Sequence, residues 1–425
     1  MKLAVVGAGW AGLAATVRAT EAGHDVSLYE MAGQTGGRAR AVEARGLVLD
    51  NGQHILIGAY HRTLALMRHV GVDVDQALHR QPLVLRYPDG QGLQLPEGPA
   101  WLAFTRAVAG CVGWRLADKL SLLTTTARWG LAGFECDAAL TVDALCAPLT
   151  PAVRTMLIDP LCIAALNTPA HEASAQVLLR VLRDALFGGP GAADLLLPRQ
   201  SLSALLPSAA EDWLRHAGAQ LHLATRVQRV DRSGTQWQLA NENFDAVVIA
   251  CSAAEAARLC EAHAPAFAAR AAALRYEPIV TVYLHCPGAR LPTPMVALRD
   301  GPSAPAQFAF DHGALGAEPG RFAFVVSGAR EWVDRGLDAT AEAVLRQAQS
   351  VFGPEVWPGP PTLLRVLADK RATFRCTPNL DRPTALIAPG LIAAGDYVAG
   401  PYPATLEGAV RSGEAAAAAI CRSPN

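Results

Sequence analysis

"KLAVVGAGWAGLAATVRATEAGHDVSLYE", residues 2–30, reads in succession as strand, glycine turn, helix and strand. Leu3 to Val6 make a short apolar strand, and Gly7, Gly9 and Gly12 follow it at the spacing G-x-G-x-x-G. At a dinucleotide the three glycines serve in turn to make a tight turn, to let backbone approach a pyrophosphate closely, and to pack helix on sheet. Ala11 and Gly12 open the helix, whose free first-turn amides face the anion. The second strand, Asp25 to Tyr29, ends at Glu30, where a carboxylate can accept hydrogen bonds from an adenosine ribose. An acid there disfavours a 2′-phosphate, so FAD or NAD is expected rather than NADP.

Two further stretches decide between those ligands. "GQTGGRAR" (33–40) places Gly36, Gly37 and Arg38 soon after Glu30, and a second glycine pair beside an arginine lets the chain approach the dinucleotide again. Near the other end, "TALIAPGLIAAGDYVAGPYPATLEGAVRSGEAAAAAI" (384–420) gives a strand from Leu391 to Ala394 that closes on Gly395 and Asp396. A Gly/Pro loop follows, then an alanine-rich helix from about Ala404 and Thr405. A carboxylate at the strand end can hold ribityl or ribose hydroxyls. The next helix aims its N-terminal amides where a reduced flavin ring accumulates negative charge. An NAD-only fold does not need this third element, so the three segments together point to FAD, held without a covalent bond because no cysteine stands in the Gly/Pro loop.

The chain has 425 residues, 51% of them hydrophobic, and a formal charge of −1, enough to bury large cores in about two domains. The near-neutral balance gives no electrostatic case for nucleic acid. Nine scattered cysteines, with no Cys-x-x-Cys pair and no His/Cys cluster, indicate neither a metal site nor a disulfide framework and suit a reducing cytoplasm. The N-terminus has the outline of a secretion signal, but its glycines sit where the nucleotide fingerprint requires them. No run reaches the roughly 18 apolar residues of a membrane-spanning helix.

With these segments in view, the sequence resembles the FAD-dependent amine oxidase and phytoene desaturase superfamily. Within it, the resemblance is to the squalene-associated branch, the hydroxysqualene dehydroxylases. It is carried by "DNGQHILIGAY" (50–60), "DPLCIAALNTPAHEASAQVLLRVLRDALF" (159–187), "LPRQSLSALLP" (197–207) and "GPYPATLEGAVRSG" (400–413). The resemblance implies an α/β fold: a discontinuous Rossmann-like, glutathione-reductase-like FAD-binding domain with an inserted α+β substrate domain. The FAD-binding pieces are expected at 1–80, 196–265 and 381–425, a helical substrate piece at 81–195 and a strand-rich one at 266–380, with a helix near 338–352. By the same resemblance, Val227 would meet the adenine through its backbone, and 246–253 would pass near the pyrophosphate.

The resemblance also gives the polar run Asp50, Asn51, Gly52, Gln53 and His54 a reason, since this segment would pass beneath the flavin ring. Gly52 and Gln53 would then meet the cofactor. The implied chemistry replaces the allylic hydroxyl of a C30 isoprenoid alcohol, hydroxysqualene, by hydrogen. Hydroxide leaves poorly, so His54 or Asp50 would supply or relay a proton, and one positioned acid contributes ~10²–10⁴-fold. Tyr402 would face the allylic cation through its π system. The plainer alternatives are that Asp50 caps a turn, His54 is a satisfied core histidine and Tyr402 packs.

So greasy a substrate must come from a membrane or from a partner, such as another enzyme of squalene synthesis. Residues 97–133 carry Trp101, Phe104, Trp114 and Trp129 among basic residues, and read either as a helix in the headgroup region, at the inner face of the cytoplasmic membrane, or as tunnel wall. Two other functions share the fold: an oxidative carotenoid desaturase, and a non-catalytic prenyl-lipid-binding protein.

Overall fold

The computed structural model describes residues 1–44 and 46–422. Its centre is the strand Lys2–Val6, buried from Leu3 onward and flanked by parallel neighbours Asp25–Tyr29 and Ala246–Ile249. The full order is Gln220–His222, Asp25–Tyr29, Lys2–Val6, Ala246–Ile249, Leu391–Ala393 and Leu386–Ala388, with only the last pair antiparallel. Continuous apolar runs such as "AVVI" belong in a parallel sheet covered on both faces. One cover is a helix pair, Trp10–Glu21 and Leu406–Arg422; a Cβ on Gly413 would collide with Ala11 O, so glycine sets how closely the two helices pack. On the far side lies the antiparallel meander Asp231–Ser233, Gln236–Leu239, Glu242–Phe244, which lays Trp237 and Phe244 into the core.

A second sheet is antiparallel, in the order Met295–Ala297, Phe308–Asp311, Arg321–Val326, Tyr276–His285, Thr362–Phe374. Alternation along Arg321–Val326 sends Phe322, Phe324 and Val326 toward the helix Leu337–Val351, while Ala323 and Val325 join the main core. Helices Ala100–Gly110, Leu116–Leu131, Asp159–Leu166 and Ala175–Phe187 stand beside it, together with the hairpin Val84–Arg86/Gly92–Gln94. Strand Leu78–Gln81 pairs with Leu195–Pro198 across both expected cuts, 80/81 and 195/196. The chain thus passes between its parts through a shared small sheet rather than through bare linkers.

Candidate active site

The glycine loop closes on itself. Gly7, at φ 104°, donates its N–H to Tyr29 O at 2.7 Å, and a Cβ there would lie 2.7 Å from Ala250 O. A Cβ on Gly12 would collide with Gly7 O. Gly9 differs: a Cβ would meet nothing closer than Gly37 Cα at 3.9 Å. Gly9 also offers no side-chain acceptor to the helix beginning at Trp10, so no side chain caps its first-turn amides. The Gly-Gly turn lies against this loop: Gly36 donates N–H to Ala8 O at 2.8 Å, and Gly37, at φ 61°, would place a Cβ 3.0 Å from Gly9 Cα. Glu30 is buried and accepts from Ala8 N and Ala32 N, each at 2.8 Å, which pins its carboxylate at the edge of the groove. Val227 is buried, its carbonyl takes Arg258 Nη2 at 2.9 Å, and its amide has no partner among the described residues. These backbones and this carboxylate fit an adenine dinucleotide.

Arg38 joins three parts of the chain. Its guanidinium donates to Asp396 Oδ2 at 2.6 Å and to Ala372 O at 2.6 Å, tying the glycine turn to the C-terminal strand end and to the long strand Thr362–Phe374. Its side chain keeps 41% exposure against 11% for Asp396, so the pair borders open space on the arginine side. Burial opposes the charge on Arg38, but Asp396 outweighs it and the pKa is raised. Gly395 donates N–H to Ser412 Oγ at 3.1 Å, and its φ of 154° lets the Tyr397 ring lie where a Cβ would otherwise be, 2.6 Å from it. Thr405 Oγ1 accepts Gly408 N at 3.0 Å and caps the Leu406–Arg422 helix, while Ala404 packs half-buried on the core. Glu407, in the first turn of that helix, takes Thr63 N at 2.9 Å and Thr63 Oγ1 at 2.8 Å and so fixes the start of helix His61–His69.

The polar run divides. Asn51 turns back to the glycine segment, donating Nδ2 to Arg38 O at 3.2 Å. Asp50 ends the strand Leu47–Asp50; its Oδ1 accepts Leu202 N at 2.8 Å and its carbonyl accepts the Tyr283 hydroxyl at 2.8 Å. Burial raises its carboxyl pKa to about 6 against the opposing pull of the Leu202 amide. Gly52 lies beside Thr281, whose Oγ1 would be 3.8 Å from a Cβ there. Gln53 Nε2 donates to His54 O at 3.3 Å, so its Oε1, 2.9 Å from His312 Nε2, accepts the imidazole N–H. His312 is pushed down to about 4 by burial and by Arg321. His54 Nδ1 lies 2.9 Å from Gly52 O; a carbonyl can only accept, so Nδ1 carries the proton and the Nε2 lone pair is free in the neutral ring. Burial lowers the His54 pKa, with Arg38 adding to the effect and the Gly52 bond and Asp369 opposing it.

Two cavities border these groups. Asp50, Gln53, Arg199, Ser201, His312 and Arg321 line one of about 190 Å³. Asp396, Tyr402, Arg180, Arg382, Arg411 and Ser412 line another of about 340 Å³. Asp50 and Tyr402 line different ones of these two cavities, and His54 lines neither. Tyr402 donates its hydroxyl to Asp184 Oδ2 at 2.9 Å and accepts from Arg180 Nη2 at 3.0 Å. The guanidiniums of Arg180 and Arg411 stand over its ring at 5.0 and 5.3 Å. Sequence reasoning missed His312, Thr281, Tyr283, Arg180 and Asp184. His312, Thr281 and Tyr283 reach the site from elements remote in the chain with no local motif to mark them, whereas Arg180 and Asp184 lie within the stretch 159–187 but were not singled out there.

A parallel sheet with a glycine cradle, a buried acid at its edge and a second carboxylate under a capped helix fits a dinucleotide, and the family match makes the chain an FAD-dependent oxidoreductase. The family described as "Flavin containing amine oxidoreductase" matches residues 10–421, and the chain belongs to it. Among curated relatives, the hydroxysqualene dehydroxylase of Sinorhizobium fredii is 30% identical over 457 residues, 97% of this chain and 96% of its own. That of Zymomonas mobilis subsp. mobilis is 27% identical and covers 97% of each chain. A zeta-carotene desaturase from Synechocystis is 40% identical, but over 72 residues, 17% of this chain and 15% of its own. Among solved structures, an oxidoreductase from Methanosarcina mazei superposes with a TM-score of 0.72 at 18% identity, covering 100% of both chains.

Proposed function

We propose that this chain is a hydroxysqualene dehydroxylase that replaces the allylic hydroxyl of hydroxysqualene by hydrogen and releases squalene. The observation that carries this reading is the similarity, over 97% of the chain, to relatives bearing that name. FAD would be held by Gly7, Gly9, Gly12, Glu30, Gly36, Gly37, Arg38, Val227, Gly395, Asp396 and the capped helix start at Ala404–Thr405, with Ala11 and Gly52 as close backbone. In its reduced form FAD supplies the hydride.

The overall balance is alcohol plus proton plus hydride giving hydrocarbon plus water, so the protein must deliver one proton as the C–O bond breaks. Asp50 is assigned as its source, because a carboxyl of pKa about 6 retains a protonated fraction at neutral pH. His54, its free nitrogen fixed by the Gly52 bond, is assigned to orient the hydroxyl by accepting its hydrogen. Gln53, engaged by His312, positions the turn that carries His54. Tyr402, already bound to Asp184 and Arg180, holds its loop against helix Ala175–Phe187. The substrate is too insoluble to arrive through water; it is drawn from the inner face of the cytoplasmic membrane or handed on by another enzyme of squalene synthesis.

The test is anaerobic. Reduced enzyme is mixed with hydroxysqualene, and flavin reoxidation is followed beside mass spectrometry of the extracted lipid, with one squalene per flavin expected. Flavin that stays reduced, while the oxidised enzyme bleaches with a polyene precursor, would replace this reading with the desaturase one.

A further inference from the structure

The helix Leu116–Leu131 packs Leu122 and Trp129 on the core and carries a second apolar stripe on its outer side. Leu116, Leu120, Thr124, Ala127 and Leu131 follow at steps of four, four, three and four, which keeps them on one face, and all five are exposed. Leu116 is 73% exposed, Leu120 51% and Leu131 91%. The Thr124 hydroxyl donates to Leu120 O and so adds little polarity to the stripe. Of the four aromatics of residues 97–133, Trp114 and Trp129 turn inward and Phe104 is half-buried, leaving Trp101 exposed at 64%. Val112, in the turn between the two helices, extends the patch at 59%.

Charge distinguishes this face from an ordinary sticky surface. Residues 98–134 hold Arg106, Arg115, Lys119 and Arg128 and a single acid, Asp118. Asp118 is buried, accepting from Arg115 N at 2.8 Å and Thr150 Oγ1 at 2.7 Å. Arg106 and Arg128 are exposed and have no carboxylate partner among the described residues, and Arg115, also exposed, makes no ion pair though its charge favours the Asp118 carboxylate. Glu135 and Asp137 come only after the helix has ended. The far end of the stripe continues onto helix Ala175–Phe187: Phe134 packs 5.2 Å from Phe187, which is 58% exposed. Seven residues back along that helix, roughly 10 Å by its rise, Arg180 bonds Tyr402 at the cavity bordered by Asp396. Val181, Leu182, Ala185 and Leu186 between them are half-buried.

We propose that the outer stripe of helix Leu116–Leu131, with Val112, Trp101 and Phe187, is a docking face for an anionic lipid bilayer. The helix lies flat in the headgroup region, leucines down and arginines level with the phosphates. Among the described residues no helix is long and apolar enough to cross a membrane, so attachment is peripheral. The proposal rests on the dehydroxylase reading for its purpose: a C30 alcohol leaves the lipid beside Phe187 and follows the half-buried side of helix Ala175–Phe187 inward.

The full-length flavoprotein is floated with vesicles of phosphatidylcholine alone and with a quarter phosphatidylglycerol. Binding is expected on the anionic vesicles and at least tenfold weaker on the neutral ones. The variant L116S/L120S/L131S should lose binding at least tenfold, and R106Q/R115Q/R128Q should lose the preference for anionic lipid. Both should keep their flavin and their turnover of detergent-dispersed substrate. Equal binding of wild type and the leucine variant would overturn the proposal. So would a wild-type dimer that the leucine variant breaks without any vesicle binding, since the stripe would then cover a second copy. Vesicle binding is read without turnover, so failure of the dehydroxylase reading would show separately, as absence of squalene from bound enzyme.

Discussion

Arg38 and Asp396 lie 358 positions apart in the chain and meet at 2.6 Å. The same guanidinium also donates to Ala372 O, so one side chain joins the glycine turn, the last strand of the cofactor domain and the long strand of the second sheet. Arg38→Met should lower stability by about 1–3 kcal/mol, less than for a fully buried pair because the arginine is partly exposed. It should also cut FAD content, read as the ratio of flavin to protein absorbance beside a thermal melt.

The glycines separate fold from cofactor. Gly12→Ala and Gly413→Ala place a methyl against a backbone oxygen and should cost about 3 kcal/mol or more, with or without flavin. Gly9→Ala meets open space, so the melting temperature of its apoprotein should match wild type while FAD binding weakens at least tenfold. Calorimetry of apoprotein and flavin titration read the two effects independently.

Asp50 predicts a pH dependence with a definite sign. Its folded pKa is raised from 3.8 to about 6, so its stabilising effect is complete below pH 3.8 and is lost as pH rises through about 6. Asp50→Asn keeps an oxygen for Leu202 N and should match wild type near pH 4. It should be more stable at pH 8 by about 2–3 kcal/mol, at roughly 1.4 kcal/mol per pKa unit. Its turnover should fall by ~10²–10⁴-fold, and the wild-type rate should decline as pH passes through about 6, a limb absent from the variant.

His54→Asn preserves an N–H where Nδ1 now donates to Gly52 O, whereas His54→Ala does not. If His54 orients rather than protonates, the asparagine variant should keep the pH profile and lose chiefly KM. The alanine variant should lose about 1 kcal/mol of stability as well, and stopped-flow kinetics across pH 5–8 would separate the two roles.

Tyr402→Phe removes the hydroxyl between Asp184 and Arg180 and leaves the ring beneath both guanidiniums. A raised KM with unchanged kcat and flavin spectrum is expected if Tyr402 only holds its loop. A fall in kcat alone would return it to the chemistry.

The strand, glycine loop and helix at residues 2–21 were legible because they are contiguous and Gly7 and Gly12 have local steric reasons, as the collision of a Gly12 Cβ with Gly7 O makes plain. The Gly395–Asp396 end and its helix were legible for the same reason, the helix starting at Leu406, two residues beyond the expected Ala404. The polar run was visible as a cluster, but its division was not: Gln53 turns to His312, 259 positions away, and nothing near residue 53 announces it. Residues 97–133 show the other limit. An amphipathic pattern gives the period of a helix but not which face meets solvent, so the sequence leaves headgroup helix and tunnel wall open, and the structure turns Trp114 and Trp129 inward while Leu116, Leu120 and Leu131 stand outside.

The order of strands in the parallel sheet has a consequence for biosynthesis. Lys2–Val6 is made well before Ala246–Ile249, its neighbour on one side, and that strand in turn precedes its own partner Leu391–Ala393. Contacts of such sequence separation form slowly, and the Ala246–Ile249 edge of the central sheet stays open until Leu386–Ala393 has been made. Flavin loading is therefore a post-translational event, and a nascent chain stalled before residue 390 exposes adhesive strands that call for a chaperone.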